Sequence, residues 1–170
     1  MNLHEGIAVA VALVACVFDL RRRRIPNVLT FGAALAAFIV SALTGGPAAV
    51  GASAGGWIVA AAVWLPFYLL GGMGAGDVKL MAAIGAWLGP AAAIHVALYT
   101  AMAGGVLALT IACVQGSLRQ TFSNLQMLFL HWRVVGFAPH AELTLQTATG
   151  PHLPYAIPIL MGTVLATWIR

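Results

Sequence analysis

The sequence contains a succession of long apolar stretches separated by short polar breaks. A transmembrane helix needs about 20 mostly apolar residues, and this pattern predicts six spans, at residues 3–20, 28–44, 48–70, 78–88, 91–114 and 153–169. The fourth stretch is short if it ends at Gly89 and Pro90, so a tilted or partly buried helix and a kinked continuation into the fifth are both open. We therefore expect an all-α polytopic membrane protein, with about six transmembrane helices in one bundle and residues 1–170 forming a single domain.

The composition excludes an ordinary soluble protein. Hydrophobic residues make up 62% of the chain and charged residues 7%, whereas soluble domains carry about 25% charged residues. The amino end lacks the basic region of a signal peptide, so the first stretch is expected to remain as a span. Cys16 and Cys113 both lie in apolar runs, and neither they nor the histidines have the spacing of a disulfide framework or a metal site.

The basic residues predict the orientation in the membrane. Alternation of six spans places three connections on one side of the membrane: the first connection, the one that follows the third span, and the connection 115–152. The basic residues in or beside these connections are Arg21, Arg22, Arg23, Arg24, Lys79, Arg119 and Arg133. Positively charged connections stay in the cytoplasm, so this side is predicted to be cytoplasmic and both termini periplasmic. The four consecutive arginines are also expected to contact anionic lipids.

The connection 115–152 is predicted to be a cytoplasmic loop, and part of it has a helical pattern. Large apolar residues recur there at intervals of three and four, namely Phe122, Leu125, Leu128, Phe129 and Trp132. This spacing is typical of an amphipathic helix lying in the membrane interface. An irregular loop that folds back on the bundle is the alternative.

Two aspartates are the main candidates for chemistry. The chain has only four carboxylates, and Glu5 and Glu142 lie near the amino end and in the polar connection. Asp19 and Asp77 instead follow apolar stretches, where carboxylates are expensive and usually functional. Alternation of the spans predicts that both lie at the cytoplasmic edge.

Each of these aspartates also has a purely structural interpretation. Asp77 follows a glycine-rich segment and could cap the helix that it opens. Asp19 could form an ion pair with Arg22 or Arg23, three and four residues later on the same helix face. These interpretations remain open on the residues alone.

Residues near Asp77 and before the last span are candidates for contact with a substrate. Gly74 and Gly76 would leave space for an extended peptide, because glycine permits close backbone approach. Lys79 could bind a substrate carboxylate or mark the cytoplasmic interface. Tyr155 could border the active cavity or act as an interfacial aromatic anchor.

Three segments resemble the type IV prepilin peptidases. They are Asp19 with the arginine run and Ile25-Pro26-Asn27, then Gly72-Met73-Gly74-Ala75-Gly76-Asp77-Val78-Lys79-Leu80, and finally Leu153-Pro154-Tyr155-Ala156-Ile157-Pro158. The resemblance implies a GxGD-type intramembrane aspartyl endopeptidase that removes the leader peptide from prepilins or pseudopilins at the cytoplasmic face of the bacterial inner membrane. It further implies that Asp19 and Asp77 are the catalytic pair and that mature pilin has an acidic residue near its start, for which Lys79 or the arginine run is the hypothetical receptor. Gly74, Gly76 and Lys79 are therefore the predicted substrate-binding residues, and no cofactor or metal is expected.

The chain departs from the larger members of that family. It has neither a cytoplasmic insertion between the first two spans nor a paired-cysteine motif, so methyltransferase activity is not expected. Its small size resembles the branch that serves tight-adherence pili. The competing functions are a small proton- or cation-coupled transporter that uses the same aspartates and a noncatalytic assembly scaffold; no nucleic-acid partner is expected.

A pair of aspartates works with one carboxylate ionised and the other protonated. Asp77 opens a predicted helix, where the helix dipole favours an anion, whereas Asp19 lies near the carboxyl end of one. This asymmetry predicts Asp77 as the resting base. The arginines that follow Asp19 argue for the opposite assignment.

Overall fold

The computed structural model describes residues 2–136 and 154–169 of the chain. All regular secondary structure in these residues is helical, which confirms the predicted all-α class. The helices are α1 (Leu3–Arg22), α2 (Asn27–Leu69), α3 (Ala75–Leu88), α4 (Pro90–Val114), α5 (Leu118–Val135) and α6 (Ala156–Trp168).

Helix α2 is interrupted by a sharp bend near its middle. Gly46 has φ 63° and ψ −155°, which is outside the helical region, and Pro47 follows it. A residue with a side chain rarely adopts this φ, and a proline is well tolerated in the first turn of the helical segment that begins after the bend. The 43 residues of α2 therefore form two helical halves.

Contacts with α3 show that the two halves of α2 run in opposite directions. In the first half, Asn27 binds Lys79 near the start of α3, and the Ala33 carbonyl accepts from Trp87 near its end. In the second half, the Ser53 hydroxyl donates to Ala86 near the end of α3, and the chain then returns to the start of α3. The halves thus form a hairpin that corresponds to the second and third predicted spans.

Helix α3 lies in the centre of the bundle. Its 14 residues extend about 21 Å, less than the roughly 30 Å of hydrocarbon that a helix must cross. Ten of them are buried, and α1, α2, α4 and α6 all contact it. Gly89, at φ +81°, separates α3 from Pro90, the first residue of α4. The fourth predicted span is therefore a short buried helix followed by a break.

Glycines bring α2 and α3 into backbone contact. A Cβ atom added to Gly56 would collide with the carbonyl group of Gly85, and one added to Gly85 would lie 2.8 Å from Cβ of Ala60. Similarly, a Cβ at Gly162 of α6 would collide with Thr100 of α4. Small residues thus permit the close helix approach on which packing in a membrane depends.

The remaining contacts show which helix ends lie together. His4 at the start of α1 makes an edge contact with Trp87 at the end of α3, and Gly104 late in α4 lies beside Pro158 early in α6. One end of the bundle therefore contains the end of α1, both ends of α2, the starts of α3 and α6, and the end of α4. We call it the site end; Arg21 and Arg22 are the last residues of α1 there, and Arg23 and Arg24 follow the helix.

Three helices, α1, α2 and α4, are long and apolar enough to cross a membrane, and α6 is a shorter apolar helix. The six predicted spans correspond to α1, the two halves of α2, α3, α4 and α6. Helix α5 contains the segment around Phe122 and Phe129, whose side chains are exposed; a cytoplasmic loop with an interfacial helix stays a prediction. The rest of the 115–152 connection from residue 137 onward, and Arg170, lie outside the described residues.

Candidate active site

Asp19 lies in the last turn of α1 and is half-buried. One of its carboxylate oxygens, Oδ2, accepts a hydrogen bond of 3.4 Å from the backbone N–H of Ala156, the first residue of α6. That N–H is one of the donors that a helix leaves unsatisfied at its amino end. The sequence gives no signal for this contact, because it joins segments that meet only in the folded bundle.

Asp77 lies in the first turn of α3 and is 8% exposed. Its Oδ2 accepts a hydrogen bond of 3.2 Å from the backbone N–H of Gly74, the residue that precedes the helix. The segment from Gly71 to Gly74 makes the turn that connects the second half of α2 to α3. The glycine-rich break therefore places the carboxylate at the site end, just inside the protein.

The fold brings the two aspartates within electrostatic reach of each other. The Asp19 carboxylate acts on Asp77, and Asp77 in turn acts on the phenol of Tyr155. These groups come from the end of α1, the start of α3 and the residue before α6. Two neighbouring carboxylates favour a state in which one proton is shared, because both cannot ionise freely at close range. Such a pair can act as an acid and a base together.

The structural interpretations of the aspartates have different outcomes. Asp77 does make the expected capping contact, through the N–H of Gly74. Among the described residues, no ion pair joins Asp19 to Arg22 or Arg23, and the Arg22 guanidinium lies 5.7 Å from the ring centre of Phe18. Capping thus accounts for part of the position of Asp77, whereas pairing with an arginine does not account for Asp19.

Gly74 and Gly76 sit close to the aspartates but do not use left-handed backbone angles. A Cβ on Gly74 would lie 3.1 Å from Oδ2 of Asp77, and a Cβ on Gly76 would lie 3.4 Å from Cβ of Ile25. A side chain at Gly74 would therefore crowd the carboxylate itself. Contact of either glycine with a substrate stays a prediction.

Lys79 points toward α2. Its Nζ donates to Oδ1 of Asn27 at 3.0 Å and lies 5.3 Å from the ring centre of Phe31. Two residues along a helix turn by about 200°, so Lys79 and Asp77 face different sides of α3. The structure does not bring Lys79 to the carboxylate pair, and its predicted contact with a substrate carboxylate stays untested.

Tyr155 lies in the same cluster as Asp19 and Asp77. The sequence alone left two interpretations of it open, a residue bordering the active cavity and an interfacial aromatic anchor. It is partly buried, packs against the main core and interacts electrostatically with Asp77. The signals for it in the sequence were Pro154 and Pro158 on either side and its place in the third of the segments that carry the family resemblance. Among the described residues, no three His, Cys, Asp or Glu side chains converge on a point that could hold a metal ion.

A comparison with protein-family models places most of the chain in a known family. Residues 6–109 match the model of the type IV leader peptidase family, and the match includes Asp19, Asp77 and the glycine-rich segment between α2 and α3. Searches of curated proteins and of solved structures found no match. The family match covers more than half of the chain.

Proposed function

The chain belongs to the type IV leader peptidase family, and on that basis we propose that it is a membrane-embedded aspartic endopeptidase that removes the leader from prepilins or pseudopilins. Asp19 and Asp77 are its catalytic pair. Hydrolysis by two carboxylates requires no metal or other cofactor, because one carboxylate activates water while the protonated partner polarises the scissile carbonyl.

One observation carries this proposal. Asp19 and Asp77 are the only aspartates in the chain, and the fold brings them from separate helices to the same end of the bundle, where they interact. A shared structural task such as capping does not require the two to meet. An acid and a base acting on one peptide bond do require it.

The two carboxylates differ in burial, and this suggests their roles. Each accepts one backbone N–H beside the amino end of a helix, so the helix dipoles favour both anions. Asp77 is buried and Asp19 only half-buried, and burial favours the neutral form of a carboxyl group. In our proposal Asp77 therefore holds the shared proton and Asp19 activates the water. This reverses the assignment that the helix positions suggest in the sequence alone.

The proposed orientation places the site end in the cytoplasm of a bacterial cell and both termini in the periplasm. At that end Arg21 and Arg22 complete α1, and Arg23 and Arg24 follow it. Positively charged segments beside a span are retained in the cytoplasm. These arginines would also contact anionic lipid headgroups. Cleavage would then take place at the cytoplasmic face of the inner membrane.

The proposed substrates are the precursors of tight-adherence pili, and methyltransferase activity is not part of the proposal. The short first connection between α1 and α2, Arg23 to Pro26, leaves no room for an inserted cytoplasmic domain.

A transporter remains the competing class. Its polar groups should line a path across the bilayer, whereas the described aspartates lie together at one end of the bundle.

Purified protein in liposomes, incubated with a purified prepilin, tests the proposal. We expect Asp19→Asn and Asp77→Asn each to lower the cleavage rate by about 1,000-fold, within the range for loss of a general acid or base. Glu5→Gln is the matched control, because Gln can retain the capping contact that Glu5 makes with the N–H of Asn2. Cleavage at the wild-type rate by either Asn variant would refute the pair, and proton flux without any cleavage would favour the transporter.

A further inference from the structure

An apolar groove lies between the second half of α2 and α4. Its volume is about 560 Å³, and its walls are lined mainly by apolar side chains and by small residues of α4, among them Trp64, Phe67, Leu98, Ala101, Gly105 and Tyr155. The small side chains on α4 leave space on that side of the groove, so an elongated apolar chain could lie against the helix. Nothing in the fold described above uses this groove.

The groove is open along its side and closed at its base. Trp64 and Thr100 at the base are 6% and 1% exposed, whereas Ile94 and Leu98 at the rim are 48% and 58% exposed. The second half of α2 and α4 both belong to helices that are apolar enough to span a membrane. The open side therefore faces the lipid, and an apolar chain could enter from there without crossing water.

One end of the groove is continuous with the candidate active site. Tyr155 lines the groove and also interacts with Asp77. The next residue, Ala156, donates its N–H to Asp19. A chain lying in the groove would thus reach both carboxylates at Tyr155.

We propose that this groove, between the second half of α2 and α4, binds the apolar segment of the substrate that follows the leader peptide. The proposal rests on the proposed peptidase function. The apolar segment enters sideways from the lipid, and the peptide bond to be cut comes to lie beside Tyr155, between the groove and the two aspartates. The basic leader remains at the site end, outside the groove.

A hydrogen-bond donor at the base of the groove is available to an incoming peptide. The indole N–H of Trp64 is buried and has no hydrogen-bond acceptor among the described residues. A buried donor without a partner destabilises the folded state, because it has lost its hydrogen bonds to water and gained none in return. A locally unwound substrate has backbone carbonyl groups free to accept, so a small rotation of Trp64 would let the substrate satisfy this donor.

A second groove provides a matched comparison. It lies between α1 and the first half of α2, has a volume of about 490 Å³ and is lined by Phe18, Gly32 and Trp87 among others. None of its lining residues is among the groups that interact with Asp77. It is also apolar, and its lining residue Phe18 directly precedes Asp19, so neither apolar character nor nearness to Asp19 distinguishes the two grooves. The link to Asp77 through Tyr155 does.

Two glycines allow each groove to be filled in the same way. A Cβ atom added to Gly105 or to Gly32 would meet nothing within 4 Å, so Gly105→Trp and Gly32→Trp should each fold and block one groove. Val106→Trp is a further control on α4, since Val106 is exposed and does not line the groove. Thermal unfolding in detergent checks that each variant is folded.

The assay compares two purified substrates, a complete prepilin and the same prepilin truncated after the cleavage site so that it lacks the apolar segment. We expect Gly105→Trp to lower kcat/KM for the complete prepilin at least tenfold and to leave the truncated one unchanged, while Gly32→Trp and Val106→Trp cleave both at the wild-type rate. The proposal is overturned if Gly32→Trp lowers kcat/KM for the complete prepilin and Gly105→Trp does not. It is also overturned if Gly105→Trp lowers kcat/KM equally for the complete and the truncated substrate. Because the wild type must be active in this assay, failure of the peptidase function itself would be seen separately.

Cross-linking gives an independent test that does not depend on the tryptophan variants. A photoreactive amino acid at Leu98, on the rim of the groove, should cross-link to the apolar segment of the prepilin. The same group at Leu35, exposed on α2 outside both grooves, should not. Cross-linking from Leu35 and none from Leu98 overturns the proposal.

Discussion

The Asp19 carboxylate accepts a hydrogen bond of 3.4 Å from the backbone N–H of Ala156, which joins the last turn of α1 to the first turn of α6. This contact gives Asp19 the same kind of partner that Asp77 has in the N–H of Gly74. Helix position therefore no longer separates the two carboxylates. The two carboxylates differ in burial instead, and this difference can be tested by titration.

We expect the pKa of Asp77 to lie above the usual range of an aspartate carboxyl group. Asp77 is the more deeply buried of the two, and burial disfavours the charged form, while the negative charge of an ionised Asp19 opposes its ionisation further. Labelling with ¹³C-carboxyl aspartate gives only two signals, because the chain has only these two aspartates. An NMR titration in detergent, with Asp19→Asn and Asp77→Asn used to assign the signals, measures the pKa of Asp77 directly. A pKa of Asp77 within the usual range of a carboxyl group would restore it as the resting base.

We expect Gly85→Val to destabilise the bundle by about 1–3 kcal/mol, the usual range for overpacking. A Cβ at Gly85 would collide with Gly56 and lie 2.8 Å from Cβ of Ala60, so α3 must move away from α2. Cleavage should fall as well, since Asp77 is carried by α3. Thermal unfolding measures the effect, with Gly32→Val as a control at a glycine where a Cβ meets nothing within 4 Å. Equal melting temperatures for the two variants would show that this helix contact is not needed.

We expect Lys79→Gln to slow cleavage of different prepilins to the same extent. The Lys79 Nζ is already engaged by Asn27 and lies over Phe31, so its charge serves the contact between α2 and α3. The measurement compares a prepilin that has an acidic residue near its mature amino end with the same prepilin carrying the neutral amide there. A loss confined to the acidic substrate would instead establish Lys79 as the receptor of that carboxylate.

We expect the two ends of the bundle to be labelled from opposite sides of the membrane. In a chain with Cys16→Ala and Cys113→Ala, single cysteines replace Arg24 at the site end and Ala48 just after the bend in α2; both positions are exposed. A membrane-impermeant maleimide is added to spheroplasts whose inner membrane is intact. It should label only the cysteine at position 48. Labelling of position 24 under the same conditions would place the carboxylates on the periplasmic side and contradict the orientation.

The sequence alone determined the helical class and the approximate positions of the spans, and it singled out Asp19 and Asp77 as the candidate catalytic residues. These are local properties, because about 20 consecutive apolar residues form a membrane helix wherever they occur, and a rare carboxylate at the end of such a stretch is visible without any fold. Alternation of the spans then predicted that Asp19 and Asp77 share one end of the bundle. The described contacts agree with that arrangement.

Only the tertiary structure decided that α3 is buried in the centre, that α6 meets Asp19 through Ala156, and that a groove leads to Tyr155. A membrane helix is apolar on every side, so its sequence has no amphipathic pattern to show which face packs and which faces lipid. The choice depends on where glycines such as Gly56 and Gly85 allow two backbones to touch. That property belongs to pairs of helices and cannot be read from either helix alone.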